Sequence, residues 1–197
     1  REFLGVPYAE PPTGDRRWQR PEPKRRWWLP REALTDSPSC LQGELISNTL
    51  VTSEDCLYLN IWTPNTPGPH PVMVWIHGGN FTIGEGGSHS YDGAKLAREH
   101  DVVVVTINYR LSFLGFLSLP GLSARSGYGA SGNQGFYDQI EALRFVKREI
   151  GAFGGDANNI TLFGESAGSI STCILMSSPL TDGLINKAIM QSGGCGI

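Results

Sequence analysis

The sequence predicts an α/β fold: a mainly parallel central sheet with helices on both faces. Three observations carry this expectation. Val102–Ile107 is an unbroken run of Val, Thr and Ile, the pattern of a strand covered on both faces. Similar short apolar runs recur at Val72–Ile76 and Ile160–Phe163. Between the last two runs, Phe136, Ile140, Leu143, Val146 and Ile150 are spaced as one helical stripe. Strands that alternate with helices are joined by crossovers, which leave neighbouring strands parallel.

From the N-terminus, residues 1–40 read as proline-rich and mostly irregular, with a turn at Pro11-Pro12-Thr13-Gly14. Cys56–Trp62 alternates, with Leu57, Leu59 and Ile61 on one face and Tyr58, Asn60 and Trp62 on the other. Two unlike faces predict an antiparallel strand. Asn65–Pro71 is a turn, and Val72–Ile76 is a strand that ends at His77-Gly78-Gly79. Asp92–His100 reads as a short helix. Asn133 is placed to cap a helix that runs to about Ile150, where Gly151 stops it. The Ile160–Phe163 strand leads into a helix ending near Ser177, and Lys187–Gln191 is the next strand.

A chain of 197 residues can bury one sizeable core. The net charge of −3 argues against a nucleic-acid partner. Arg16, Arg17, Arg20, Lys24, Arg25, Arg26 and Arg31 do interleave with Trp18, Trp27 and Trp28. Pro12, Pro21, Pro23 and Pro30 in and around them favour an irregular surface wrap over a nucleic-acid patch. No membrane span is expected, because Asn108, Arg110 and Pro120 interrupt the most apolar region. Cys40 and Cys56 lie in polar, loop-like surroundings, whereas Cys173 falls in an apolar helix and reads as a buried free thiol. The sequons at Asn80 and Asn159 are read as chance occurrences.

Chemistry enters at Gly164-Glu165-Ser166-Ala167-Gly168, a Gly-x-Ser-x-Gly pentapeptide directly after a strand. A serine hydroxyl is a weak nucleophile and must be lifted clear of the backbone. A sharp strand-to-helix turn achieves this and requires tiny residues two positions to either side. A second loop, His77-Gly78-Gly79-Asn80-Phe81, ends another strand and suits backbone amides that turn toward a developing oxyanion. A phosphate loop is the competing reading. It fails because no Gly-Lys-Ser/Thr follows and His89 stands where G-x-G-x-x-G needs glycine. His77 precedes the nucleophile and is read as a structural hydrogen-bonding residue.

The chain resembles the N-terminal portion of a type-B carboxylesterase, in the carboxylesterase/cholinesterase family of α/β hydrolases. The resemblance rests on Gly5-Val6-Pro7-Tyr8-Ala9-Glu10-Pro11-Pro12, Glu54-Asp55-Cys56-Leu57-Tyr58-Leu59-Asn60 and Trp75-Ile76-His77-Gly78-Gly79. It extends to Asn108-Tyr109-Arg110, Gly132-Asn133-Gln134-Gly135, Phe153-Gly154-Gly155-Asp156 and the serine pentapeptide. It implies an α/β-hydrolase fold, residues 1–197 being the N-terminal part of one such domain, incomplete C-terminally. It implies Ser166 as nucleophile, oxyanion donors at the backbone N–H groups of Gly79, Asn80 and Ala167, and supporting positions at Glu165 and Ser192. A Cys40–Cys56 disulfide, an Arg17–Glu54 ion pair and an extracytoplasmic location follow by the same resemblance.

The reaction so implied is hydrolysis of a small-molecule carboxylic ester through an acyl-enzyme, without cofactor or metal. In such enzymes an acid and then a histidine follow the serine. Here all 4 histidines precede Ser166, so the remainder of the hydrolase domain is the expected partner, and these residues alone are expected to be inactive. A silent adhesion or scaffold protein is the alternative. A specialist for cationic esters is disfavoured, because Leu41–Asp55 holds no aromatic residue for cation–π contact.

Overall fold

The computed structural model describes residues 1–43 and 51–196. Residues 44–50, inside the loop expected to lack an aromatic contact, lie outside the described residues. A six-stranded sheet runs through the molecule in the order β1-β4-β6-β5-β7-β8. Its strands are β1 (Glu2–Pro7), β4 (Tyr58–Trp62), β5 (His70–Ile76), β6 (Val103–Ile107), β7 (Gly155–Glu165) and β8 (Lys187–Gln191). The short pair β2 (Ser39–Cys40) and β3 (Thr52–Ser53) stands apart. β6, β5, β7 and β8 are mutually parallel, while β4 runs antiparallel to both β6 and β1. The N-terminal region is therefore less irregular than its prolines suggest. β1 pairs with β4 through a bulge between Phe3 and Val6, with Gly5 in the bulge at φ 65°.

Alternation along β6 divides the core between two faces. Val103, Val105 and Ile107 point to one side, where Ile140, Leu143 and Val146 of α4 (Gln134–Glu149) and Leu175 of α5 (Ala167–Met176) cover them. Val104, with Trp62, points to the other side and packs on Ala97 of α1 (Ala94–His100). Helices thus lie on both faces of a mostly parallel sheet, as the apolar runs require. The α1 face is only partly covered toward β7, where Thr161 and Phe163 are half-buried, so β7 is not the doubly buried strand its composition suggests. There Trp75 packs on Tyr91 and Phe163, with ring centroids 5.1 and 4.9 Å apart. The short helices α2 (Ser112–Phe116) and α3 (Pro120–Arg125) fill the connection from β6 to α4.

Two expectations are corrected. Cys173 is half-buried and bonded to Cys195, not a free thiol. The turn after β8 carries Cys195 back to α5, an approach that sequence distance conceals. Asn133 occupies the residue before α4 but makes no side-chain cap. Gln134 instead accepts from the Gly132 amide at 3.1 Å and donates to the Trp18 carbonyl at 2.8 Å. Cys40 and Cys56 are bonded, and Arg17 donates to both oxygens of Glu54 at 2.6 Å.

The deepest charges are Arg110 and Asp138, 3% and 0% exposed. Arg110 donates to Asp138 from its backbone N, Nε and Nη2 at 3.0, 2.8 and 2.7 Å, and Nη2 also reaches the Gln19 carbonyl at 2.9 Å. Burial works most strongly against the guanidinium charge, but the charge and hydrogen bonds of Asp138, together with the nearby Tyr8 and Tyr128 hydroxyls, hold Arg110 above its ordinary value. Removing one partner strands the other charge in the interior. Asp138→Ala should therefore destabilise by about 3–5 kcal/mol in urea unfolding. A change below about 1 kcal/mol, the scale of an exposed pair, would contradict this account.

Candidate active site

The parallel register sets Ile76 of β5 beside Gly164 of β7, so both strands end at the same edge of the sheet. Beyond Glu165 the chain turns within one residue. Ser166 sits at φ 53°, ψ −118°, and α5 begins at Ala167. That conformation is costly for a residue with a side chain, by about 1–3 kcal/mol, and its surroundings impose it. A Cβ on Gly164 would lie 2.5 Å from the Gly168 carbonyl carbon. A Cβ on Gly168 would overlap the Ile76 carbonyl oxygen and lie 3.0 Å from the His77 oxygen. The Ser166 amide donates to the Gln191 carbonyl of β8 at 2.9 Å.

The glycine loop meets this turn. A Cβ built on Gly78 would stand 3.2 Å from the Ser166 Cβ and 2.6 Å from a Glu165 carboxylate oxygen. The loop takes left-handed backbone at Gly79 (φ 103°), Asn80 (φ 55°) and Phe81 (φ 59°). Asparagine tolerates this region better than most residues, which suits it to this position. The Phe81 carbonyl accepts from the Ser112 amide at 2.7 Å. Farther along, the Gly86 amide donates to Asn108 Oδ1 and the Thr106 hydroxyl to the Gly86 carbonyl, both at 2.7 Å. The loop is thereby tied to β6.

Glu165, Ser166 and Ala167 stand at the end of β7, where Gly78 meets them, and Gly79 and Asn80 follow Gly78 in the loop after β5. Ser192 directly follows β8 at φ 55°, and its neighbour Gly193 abuts the turn: a Cβ there would lie 2.7 Å from the Ser166 carbonyl oxygen. The Ser169 hydroxyl also donates to the Gly193 carbonyl at 2.8 Å. Cys40–Cys56 and Arg17–Glu54 belong to the N-terminal wrap. Beside the loop, a cleft of about 630 Å³ is lined by Asn80, Phe81, Phe116, Phe136 and Ile170, among others. The rings of Phe81, Phe116 and Phe136 lie 5.1–5.7 Å apart. Sequence reasoning missed Gln191 and Gly193 as supports of Ser166. Their signal was Ser-Gly-Gly directly after an apolar strand, a turn signature.

His77 is fully enclosed. Its ring stacks on Tyr109 at 4.4 Å, its Nδ1 donates to the Gly78 carbonyl at 2.8 Å, and the Tyr109 hydroxyl donates to the His77 carbonyl at 3.0 Å. Burial lowers its pKa to about 4, only partly opposed by the Gly78 contact, so the ring is neutral at pH 7. Tyr109 stands in the sequence only as part of the Asn108-Tyr109-Arg110 resemblance, and its role over His77 is not legible there, since an aromatic after a strand most often reads as core.

Gly168→Ala should destabilise by at least about 1–3 kcal/mol, because the three nearest atoms its methyl would meet are all backbone. Gly151→Ala, where nothing lies within 4 Å, should be near neutral. Equal unfolding midpoints for the two variants would refute the close-approach account. For His77 the folded value of about 4 lies below the ordinary 6.5, so the unfolded chain binds the extra proton. The stability contributed by the neutral ring is complete above about pH 6.5 and lost as pH falls to 4. At about 1.4 kcal/mol per pH unit this amounts to on the order of 3 kcal/mol. Unfolding of wild type and His77→Gln at pH 7 and pH 4 should show the wild type losing that much more; a constant difference would contradict it.

Comparison with known proteins extends the picture. A sequence profile of the carboxylesterase family matches residues 1–196. The chain is 48% identical over 197 residues to fumonisin B1 esterase of Sphingopyxis macrogoltabida, covering 98% of this chain and 36% of that protein. It is 47% identical over 198 residues to para-nitrobenzyl esterase of Bacillus subtilis (strain 168), covering 98% and 40%. Acetylcholinesterase of Danio rerio is 46% identical over 204 residues, with 97% and 31% covered. The solved structure of a thermophilic PNB esterase superposes with a TM-score of 0.91 at 45% identity, over 98% of this chain and 40% of that one. The chain thus spans 31–40% of the length of these relatives. Since the profile runs from the first β-strand through the turn after β8, this chain belongs to the carboxylesterase family and represents an N-terminal portion of its α/β-hydrolase fold.

Proposed function

We propose that the protein hydrolyses carboxylic esters with Ser166 as nucleophile, residues 1–197 being the N-terminal part of a single hydrolase domain. The observation that carries this reading is the strained Ser166 at φ 53°, held by backbone contacts that admit only glycine at 164 and 168, with the Gly78 loop against it. The serine oxygen bonds to the ester carbonyl carbon while a base takes its proton. The carbonyl oxygen becomes an oxyanion facing the amides of Gly79, Asn80 and Ala167. A donor of this kind is worth about 3 kcal/mol elsewhere. Collapse of the intermediate expels the alcohol, which regains the proton, and water repeats the sequence on the acyl-enzyme. Glu165 and Ser192 flank the nucleophile as supporting residues. The phenylalanine-lined cleft favours neutral, apolar esters.

The base is assigned to sequence outside these residues. His77 is locked by Tyr109 and Gly78. His70 opens β5 at the far end from Ser166 and bonds the Thr66 carbonyl at 3.0 Å, while His89 and His100 are exposed at the surface. The rest of the domain would also cover β8, whose Ile189 and Met190 are exposed. Two disulfides among the described residues support an oxidising, extracytoplasmic location. The adhesion alternative is not favoured, because Ser166 and both glycines of the loop are intact.

Ser166→Ala in the full-length protein should lower turnover of p-nitrophenyl acetate by about a thousandfold or more without lowering the unfolding midpoint. Unchanged turnover would remove Ser166 from the mechanism. Residues 1–197 expressed alone should show no multiple turnover. Ser166-dependent multiple turnover by that piece would place the base within it.

A further inference from the structure

Of the seven basic residues between Arg16 and Arg31, four are spent on the protein itself. Arg16 pairs with Glu22 at 3.0 Å, Arg17 with Glu54 at 2.6 Å and Lys24 with Glu10 at 2.8 Å. Arg20 lies between two rings, its guanidinium carbon 3.7 Å from the Tyr128 centroid and 4.2 Å from that of Tyr137. The remaining three, Arg25, Arg26 and Arg31, are exposed and form no ion pair among the described residues, although Arg31 approaches the Tyr58 hydroxyl. They bracket Trp27-Trp28-Leu29-Pro30. Trp28 is 92% exposed, Leu29 79% and Trp27 44%.

This composition is costly to leave in water unless something covers it. Two adjacent side chains as large as Trp28 and Leu29 gain nothing from packing at such exposure, and an apolar patch rimmed by charge marks an interaction site. Trp27 roots the segment, lining a groove with Pro23, Phe145 and Phe153. We infer that the segment Arg25–Arg31 docks the protein on an anionic lipid membrane surface. Trp28 and Leu29 enter the interface between headgroups and acyl chains, and Arg25, Arg26 and Arg31 meet lipid phosphates.

Charge and residue type select this occupant. Tryptophan favours the headgroup level, and leucine gains by entering the hydrocarbon below it. Arginine binds phosphate through several donors at once. Apolar insertion combined with basic attraction is the pairing that gives reversible membrane association. Single-stranded nucleic acid would use the arginines and tryptophans, but an exposed Leu29 offers no ring for stacking. The net charge of −3 keeps the rest of the surface from joining in, so contact is confined to this tip.

The test is cosedimentation of the full-length protein with vesicles of phosphatidylcholine containing about one-third phosphatidylserine, against pure phosphatidylcholine, at low salt. Tryptophan emission and acrylamide quenching are read in parallel. Binding should require phosphatidylserine and weaken with salt. Emission should shift to the blue, and the shift should disappear in Trp28→Ala/Leu29→Ala. That double variant should bind at least about tenfold more weakly, and Arg25→Gln and Arg26→Gln about fivefold each. The exposed positions make misfolding a poor explanation for lost binding, and unchanged ester turnover in solution would exclude it. Equal binding by the double variant, or no binding to phosphatidylserine vesicles, would overturn the proposal. A Trp28 already shielded from acrylamide without lipid would do so too, assigning the tip to cover by other parts of the polypeptide. Binding to oligo(dT) without binding to vesicles would transfer the segment to nucleic acid.

Discussion

Two backbones cross at Gly168 with no room for a side chain, and the rest of the site depends on that crossing. A Cβ at Gly168 would overlap the Ile76 carbonyl, and one at Gly164 would meet Gly168 itself. The distance between the end of β5 and the start of α5 is therefore set by main-chain contact. Main chain has few ways to yield, whereas packed side chains can change rotamer. This rigidity lets Ser166 persist at a positive φ that would relax in a softer setting. β8 reinforces it through the Gln191 carbonyl bonded to the Ser166 amide.

The same crossing fixes the glycine loop. Because β5 ends where α5 begins, Gly78 is delivered against Glu165 and Ser166. His77 holds the loop from below. Its neutral ring satisfies the Gly78 carbonyl while Tyr109 occupies the His77 carbonyl, so polar atoms in a dry region are paired without introducing charge. A protonated ring there would lack a counter-ion, which is why burial drives its pKa down. Loop geometry and histidine charge state are one constraint seen from two sides.

Farther out, the N-terminal wrap gains order by spending its charges. Arg110 and Asp138 bind the segment after β6 to α4 and reach back to Gln19. Such a buried pair is a weak source of net stability and a strong penalty against misplacement. Arg20 between two tyrosines and Trp18 bonded to the Phe113 carbonyl at 2.9 Å act likewise at the surface. What remains after this pairing is the arginine–tryptophan tip, whose Arg25, Arg26 and Arg31 form no ion pair among the described residues.

Periodicity and glycine placement were sufficient to predict the parallel strands, the α4 stripe and the serine turn, because each depends on residues adjacent along the chain or one turn apart. Val103–Ile107 is buried on both faces as its composition requires, and α4 ends at Glu149, before Gly151. The first strand was missed because prolines near it dominate a local reading, whereas its pairing partner β4 lies more than fifty residues away. The Cys173–Cys195 bond was missed for a related reason: only the turn after β8 brings those residues together. Local sequence determined which segments are helix, strand or strained turn, and which residue types stand at the turn. Tertiary structure alone decided which backbones touch, that Gly193 and Gln191 support Ser166, that Tyr109 closes over His77, and which of seven basic residues are left free. Those outcomes depend on contacts between distant segments, and distance along the chain carries no record of distance in space.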